Sequence, residues 1–448
     1  MYKFYAAWPI LKWPMNPRRI IKSMIPKSLF GEIEPYGHLA EAVLFNSING
    51  FPAKGLKIIG VTGTNGKTST CFLIHRMLYE AGYQVGLMTT VGYGVGEDIK
   101  PQIAHMTTVS VPVLMNRIKS MRSKGVEWLV LETTSHALAQ NRVWGMPFNI
   151  AVMTNVTHEH LDYHKTFERY RDAKRKLFKL ANQNHRGLRA GVINAEDPSA
   201  ELFASDVLKP LTYGVNRGDI RAYEVDLQDT GVAYKVALDQ QVLNIHCHLP
   251  GSFNVYNSLA AVCVGQILGL SKKQIEQGIA ALEGVEGRMT NIEEGQNFTV
   301  IVDFAHTPDS FEKLFKDIRP VAKGKLIVMF GSAGRRDEVK RAVQGRLAGK
   351  YADVVVITEE DDRDVDGQEI MDQIAVGATE SGKTKDQDLF LVHDRTKAID
   401  FTLTRARKGD TVLLLGKGHE KTIERADGEH PWNEIKTTRS ILQALQDR

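Results

Sequence analysis

The stretch Gly60-Val61-Thr62-Gly63-Thr64-Asn65-Gly66-Lys67-Thr68-Ser69 holds the residue types that a phosphate ligand needs. It follows a short apolar run at 56–61 and opens a helical pattern at 70–81. In a strand, Gly-rich turn and helix, glycines let backbone N–H groups converge on the anion, and the helix N-terminus adds a favourable dipole. Lys67 then meets the terminal phosphates and the Thr68 hydroxyl a magnesium ion. Five residues separate Gly60 from Gly66, where the general motif has four. Such a site also needs acids or imidazoles at neighbouring strand ends. Glu132 closes the apolar run Trp128-Leu129-Val130-Leu131 and is a candidate metal ligand. A second cluster, His158-Glu159-His160-Leu161-Asp162-Tyr163-His164, lies past the turn Asn155-Val156-Thr157. It misses the His-x-His-x-Asp-His spacing of dinuclear zinc hydrolases by one residue, Tyr163. Asn155 and Asp162 also suit turn or helix caps, and His158 and His164 suit solvent-facing or structural positions. Lys174 sits in the helical pattern at 167–180.

These residues need a frame. Apolar runs at 84–90, 127–132 and 149–154 alternate with helical patterns such as 111–124, which predicts a parallel, doubly wound sheet. Runs at 222–227, 232–238 and 241–249 alternate and are joined by polar turns, which predicts an antiparallel insertion. Helical patterns follow at 257–268 and 273–282. A second α/β cycle starts near Arg288, with short runs at 299–304, 325–330, 353–358, 389–392 and 411–415. The expected fold class is α/β: a central domain like a phosphate-loop ATPase, with a mostly parallel sheet, and a smaller Rossmann-like C-terminal domain. The expected divisions are an arm at 1–54, an ATP-binding domain at 55–286 and a C-terminal domain at 287–448. Clefts between such domains hold two substrates. A chain of 448 residues exceeds a single core, in line with this division. A hydrophobic fraction of 43% with 25% charged residues describes a soluble globular protein. A net charge of +4 is too small at this length to argue for nucleic acid. Cys71, Cys247 and Cys263 make neither a disulfide framework nor a zinc site, so the expected compartment is the cytoplasm.

Together these motifs resemble the Mur ligases of peptidoglycan synthesis. The resemblance rests on Gly63-Thr64-Asn65-Gly66-Lys67-Thr68, on Glu132 with Ser135-His136, on His160-Leu161-Asp162-Tyr163-His164 and on Ala173-Lys174. It continues through Phe253-Asn254-Val255-Tyr256-Asn257, Gly287-Arg288-Met289, Asp303-Phe304-Ala305-His306 and Gly416-Lys417-Gly418-His419-Glu420, and covers about residues 55–448. Within the family the pattern is most similar to the branch that extends UDP-N-acetylmuramoyl-L-alanyl-D-glutamate. The resemblance implies ATP-dependent amide formation through an acyl phosphate, with two magnesium ions. It implies phosphate and metal contacts at Lys67, Thr68 and Ser69, metal ligands at Glu132 and His160, and a carbamylated Lys174 on the second ion. Asn254, Asn257, Arg288 and Asp303 match nucleotide contacts; His306, Arg336 and Lys340 match residues on the phosphate side between the domains. Thr107, Thr108, Ser135, His136 and Arg142 match contacts to the muramoyl peptide.

Amino-acid choice is carried in the family by a stretch aligned with Thr358-Glu359-Glu360-Asp361-Asp362-Arg363. Arg363 matches the arginine that pairs with the distal carboxylate of meso-diaminopimelate, as a guanidinium fork suits. Asp361 and Asp362 replace Asn and Pro, which keeps lysine open as the alternative. Gly416 and Glu420 match contacts to the amino-acid end. Only 59 residues precede Gly60, fewer than the family's uridine-binding domain occupies. The acceptor could thus be UDP-linked, lipid-linked or free, and a monomer is expected. Residues 1–31 carry Lys3, Lys12, Arg18, Arg19, Lys22 and Lys27 without an acid, interleaved with aromatic residues. They read either as a packed arm or as a segment lying on an anionic inner-membrane surface. A folylpolyglutamate synthase-like ligase and a non-catalytic nucleotide-regulated scaffold are the competing readings.

Overall fold

The computed structural model describes residues 27–102, 107–157, 159, 161–228, 230–238 and 241–446. The strand that carries the phosphate loop, β1 (Lys57–Thr62), is buried on both faces. Ile59 and Val61 enter one core and Ile58 the other, which is the period of two that a central parallel strand imposes. Next along the chain are β2 (Val85–Met88), β3 (Gly92–Val95), β4 (Asp98–Pro101), β5 (Trp128–Glu132) and β6 (Phe148–Met153). The same sheet continues through β7 (Ala190–Asn194), β8 (Lys209–Gly214), β9 (Ile220–Gln228), β10 (Gly231–Leu238) and β11 (Gln241–Cys247). Its order is β11-β10-β9-β8-β7-β6-β1-β5-β2-β3-β4, parallel from β2 to β9 and antiparallel at both ends.

The run at 211–249 is therefore not a separate insertion. β9 pairs in parallel with β8 through Tyr213↔Ile220 and Gly214↔Arg221, so the antiparallel strands extend the main sheet. β3 and β4 have no sequence signal because they are short, glycine-rich and partly polar. At Gly94 a Cβ would lie 1.9 Å from the Asp98 carbonyl oxygen, so the strand pairing itself requires glycine. The helices Lys67–Glu80 and Phe253–Ile267 cover one face of the sheet. Val111–Ser123, Phe167–Gln183 and the N-terminal helix Lys27–Ile48 cover the other. That last helix makes the expected arm a folded element from residue 27 onward; residues 1–26 lie outside the described chain.

A second sheet domain is built from β12 (Thr290–Asn291), β13 (Thr299–Asp303), β14 (Leu326–Phe330), β15 (Val354–Ile357), β16 (Leu389–Leu391) and β17 (Thr411–Leu415). Its order is β12-β13-β17-β14-β15-β16, parallel except at β12. The helix Pro308–Val321 starts beside the main sheet's phosphate loop, its first turn fixed by a capping box of Thr307 and Ser310 with Pro308 in the first turn. A hairpin of β18 (Thr422–Arg425) and β19 (Gly428–Pro431), absent from the sequence reading, follows β17.

Candidate active site

β1 ends at Thr62, and four residues separate it from the helix Lys67–Glu80. Gly66 has φ 82°, and a Cβ there would lie 2.2 Å from Asn257 Oδ1. Close approach and left-handed backbone both require glycine. The loop is held from behind by the two residues that follow β6: Asn65 N donates to Asn155 Oδ1 at 2.9 Å, and Thr154 Oγ1 donates to Asn65 O at 2.6 Å. Asn155 Nδ2 returns a bond to Asn65 O at 3.0 Å, so Asn155 clamps the loop and does not merely cap a turn. Lys67 Nζ folds back onto Gly63 O at 3.0 Å and Thr64 O at 2.8 Å. Thr68 Oγ1 donates to Glu132 Oε2 at 3.0 Å, and the same oxygen accepts from Thr90 N at 3.0 Å. Thr68 and Glu132 are both buried. A hydroxyl and a carboxylate beside a glycine cradle form the oxygen donor set that suits magnesium, so the residues present fit a magnesium nucleotide.

Lys174 reaches the same place from the helix Phe167–Gln183. Gly60 lets that helix approach, since a Cβ at Gly60 would meet Leu177 Cδ1 at 2.7 Å. Lys174 is buried, donates through Nζ to Gly63 O at 2.6 Å and stands 4.4 Å over the Tyr170 ring. Burial, with the Lys67 charge adding to it, holds the amine well below the usual lysine range. His158 and His160 lie outside the described residues, and Asp162 is described only as part of a short helix. Glu159 between them faces the site, with Oε1 3.4 Å from His306 Nε2 of the second sheet domain. The sequence offered only its place in the histidine cluster as a signal.

The two sheet domains enclose a cleft of about 870 Å³. It is lined by residues 64–69, Thr107, Glu132, Asn254, Asn257, Arg288, Asp303, His306, Arg336 and Glu420. Asn257 Nδ2 donates to Asn254 Oδ1 at 2.8 Å, which orients both amides. Arg288 is half-buried against the Phe304 ring, 4.6 Å from its centroid, and its Nη2 donates to Thr68 Oγ1 at 3.2 Å across the domains. Asp303 accepts from Met289 N and Ala305 N, each at 2.7 Å; burial nonetheless raises its pKa. Lys340 stands behind the cleft wall, with Nζ donating to His306 O at 3.1 Å.

Thr108, Ser135, His136 and Arg142 form a layer behind Glu132 and Thr107, outside the cleft lining. Thr107 Oγ1 accepts from Thr90 Oγ1 at 2.9 Å, and Thr108 Oγ1 donates to Glu132 O at 3.0 Å. Arg142 Nη1 donates to Thr108 O. Ser135 Oγ lies 3.0 Å from His164 Nε2, whose ring meets His136 edge-on and Tyr170 at a tilt. His164 is buried, so it is not solvent-facing.

The residues matched in sequence to the amino-acid end lie at the C-terminal edge of β15 and β17. Lys417, fully buried, donates to Asp361 Oδ1 at 2.9 Å and pairs with Glu420 at 2.5 Å. Burial raises the Glu420 pKa, and it works against the Asp361 carboxylate too, but there Lys417 and the Glu424 N–H outweigh it. Gly416, at φ 103°, brings its backbone against Glu360, whose Oε2 would lie 2.7 Å from a Cβ. Arg363 has its Nε on Glu424 Oε2 at 2.8 Å and its Nη1 on Gly334 O at 2.6 Å. Asp362 pairs with His393 at 2.7 Å. Glu424 and Tyr170 have no signal in the sequence that marks them as partners, because the Glu424–Arg363 and Tyr170–Thr64 contacts join distant segments.

Residues 61–265 match the Mur ligase middle domain and residues 287–418 the Mur ligase glutamate ligase domain. The chain belongs to the Mur ligase family. The UDP-N-acetylmuramyl-tripeptide synthetase of Roseiflexus sp. (strain RS-1) is 41% identical over 92% of this chain and 83% of its own length. The UDP-N-acetylmuramoyl-L-alanyl-D-glutamate--2,6-diaminopimelate ligase of Geobacillus thermodenitrificans (strain NG80-2) is 38% identical over 87% and 79%. A solved diaminopimelate ligase of that name superposes with a TM-score of 0.60 at 31% identity, covering 88% of this chain and 80% of its own. The folylpolyglutamate synthase of Mycobacterium tuberculosis superposes with a TM-score of 0.70 at 15% identity, over 92% and 95%, a likeness of fold alone. As a Mur ligase the chain is an ATP- and magnesium-dependent enzyme that forms peptide bonds in peptidoglycan precursor synthesis. Among the described residues no helix is long and apolar enough to cross a membrane.

Proposed function

We propose that the enzyme joins a diamino acid to the D-glutamate carboxylate of a muramoyl dipeptide. The observation that carries this reading is the convergence of Thr68, Glu132, Lys174 and Arg288 around one phosphate loop. The loop amides and Lys67 hold the ATP phosphates; Asn254, Asn257, Arg288 and Asp303 hold the rest of the nucleotide, and His306 and Arg336 close the phosphate side. Residues 55–286 serve as the ATP-binding domain and 287–448 as the amino-acid domain. Thr68 and Glu132 hold one magnesium ion, and His160 with carbamylated Lys174 a second. Bound magnesium supplies positive charge that offsets the repulsion between two approaching anions.

The muramoyl peptide is gripped from the β5 side by Thr107, Thr108, Ser135, His136 and Arg142. Its carboxylate oxygen attacks the γ-phosphorus, the bond to ADP breaks, and an acyl phosphate remains. The α-amine of the incoming amino acid then attacks the acyl carbon, phosphate leaves, and the amine loses a proton. Burial shifts the Lys174 pKa downward, toward the neutral amine, which adds to CO2 with release of one proton and gain of a carboxylate.

Arg363 supports meso-diaminopimelate, whose distal carboxylate fits a guanidinium fork. Lysine is favoured by a different observation: Glu424 already engages Arg363, and Glu360, Asp361 and Asp362 add negative charge nearby. Phosphate release with each amino acid in turn separates the two. Stimulation by diaminopimelate supports the first reading, and stimulation by lysine alone replaces it. Running both with UDP-linked, lipid-linked and free acceptor identifies the carrier.

A further inference from the structure

The helix Phe253–Ile267, which carries Asn254 and Asn257, does not cap itself. Ser252 stands at its N-cap, yet its side chain bonds to no backbone N–H of the helix, and the first turn holds no acid. Asn254 N and Val255 N find the carbonyls of Gly251 and Ser252, which leaves the N–H groups of Ser252 and Phe253 to be satisfied. The acceptor comes from the other sheet domain. Asp317, on the helix Pro308–Val321, takes the Ser252 N–H at 2.6 Å and the Ser252 hydroxyl at 2.9 Å, both on Oδ2. Burial raises the Asp317 pKa, and hydrogen bonds from Ser252 and the Phe253 backbone work against that. A carboxylate in this place also meets the positive end of the helix dipole. Phe253 packs beside it against the core of the second domain. Gly251, at φ 99°, makes room for both: a Cβ there would lie 2.7 Å from the Phe253 ring and 3.3 Å from Asp317 Oδ2.

We propose that Asp317 is a positioning residue for ATP, capping the helix Phe253–Ile267 from the amino-acid domain so that closure of the two domains sets the nucleotide amides. The inference rests on the reading above that Asn254 and Asn257 hold the nucleotide. The order passes along a short chain of contacts. Asn254 Nδ2 donates to Pro250 O at 2.7 Å, on the turn that Asp317 fixes. Asn257 is oriented in turn by Asn254, and its Oδ1 accepts from Thr70 Oγ1 at 3.3 Å behind the phosphate loop. Closure and nucleotide binding then share one contact, so each favours the other.

The test is calorimetric titration of ADP with magnesium into wild type, Asp317→Ala, Asp317→Asn and Asn257→Ala, together with KM and kcat for each. An asparagine keeps an oxygen for both Ser252 bonds, and an alanine keeps none. The expected result is that Asp317→Ala weakens ADP and raises KM for ATP about fivefold, the scale of a lost helix cap. KM for the amino acid and kcat should change by less than about twofold, and Asp317→Asn should restore most of the affinity. Unchanged ADP affinity in Asp317→Ala, with affinity lost in Asn257→Ala, overturns the proposal and leaves the nucleotide reading standing. Unchanged affinity in Asn257→Ala removes that reading and the proposal with it. Equal losses in Asp317→Ala and Asp317→Asn overturn the capping role, and so does an equal rise in KM for ATP and for the amino acid, which assigns Asp317 to fastening the domains alone.

Discussion

Five side chains meet around the phosphate loop near Gly63. Thr68 and Glu132 place oxygen donors, Lys67 a cation from the same helix as Thr68, Arg288 a cation from the other sheet domain, and Lys174 an amine whose pKa burial lowers. Replacing Lys174 by Ala removes the site of the proposed carbamate and is expected to cut turnover about a hundredfold or more. Short-chain carboxylates should restore part of it in a steady-state assay; full activity in the variant without them rejects the role. The Arg363–Glu424 pair predicts a second effect: Glu424→Gln releases the guanidinium and should shift the ratio of kcat/KM toward diaminopimelate over lysine, by about tenfold for one charge-assisted pair. An unchanged ratio means that the pair does not set the choice. At this scale the phosphate loop and Glu132 were legible because glycine, lysine and a strand-end acid occur at fixed local spacing. Glu159, Tyr170 and Glu424 were not, because their partners His306, Thr64 and Arg363 come from other segments.

The helix Lys67–Glu80 carries a histidine whose burial has a measurable consequence. His75 is buried, and desolvation lowers its pKa to about 4. A folded-state value below the ordinary 6.5 means that the unfolded chain takes up the proton first. Its contribution is therefore complete above pH 6.5 and is lost as pH falls toward 4, by about 3 kcal/mol at most. Urea titrations of wild type and His75→Leu at pH 7 and pH 4.5 should show the wild type losing more stability than the variant; parallel losses would exclude His75 as the cause. Gly66→Ala places a Cβ against Asn257 Oδ1 in a left-handed turn, so the loop must deform, and nucleotide affinity should fall at least tenfold by calorimetry. The buried parallel strands β1, β5, β6, β14 and β17 were legible as continuous apolar runs. The strands β3, β4, β18 and β19 were not, because short, partly polar strands follow their partners and not a local pattern.

Across the whole molecule, the cleft is closed by contacts that each need both sheet domains. Asn65 Nδ2 donates to Asp309 Oδ2 at 2.7 Å, Arg288 reaches Thr68, and Glu159 pairs with His306. Such contacts favour the closed arrangement that excludes water from an acyl phosphate. Asp309→Ala removes the partner of a loop residue without touching the metal ligands, so KM for ATP should rise severalfold while kcat changes less; a change in kcat alone would argue against a closing role. The α/β class of both sheet domains could be read from the alternation of runs and helices, whereas the fusion of β9–β11 onto the main sheet could not, because two residue pairs between β8 and β9 create it. The central claim is that ATP activates the D-glutamate carboxylate. It is tested most directly by labelling that carboxylate with oxygen-18 and analysing the phosphate released in a single turnover with ATP, magnesium and the diamino acid. An acyl phosphate predicts one labelled oxygen in each phosphate; phosphate released without label contradicts it.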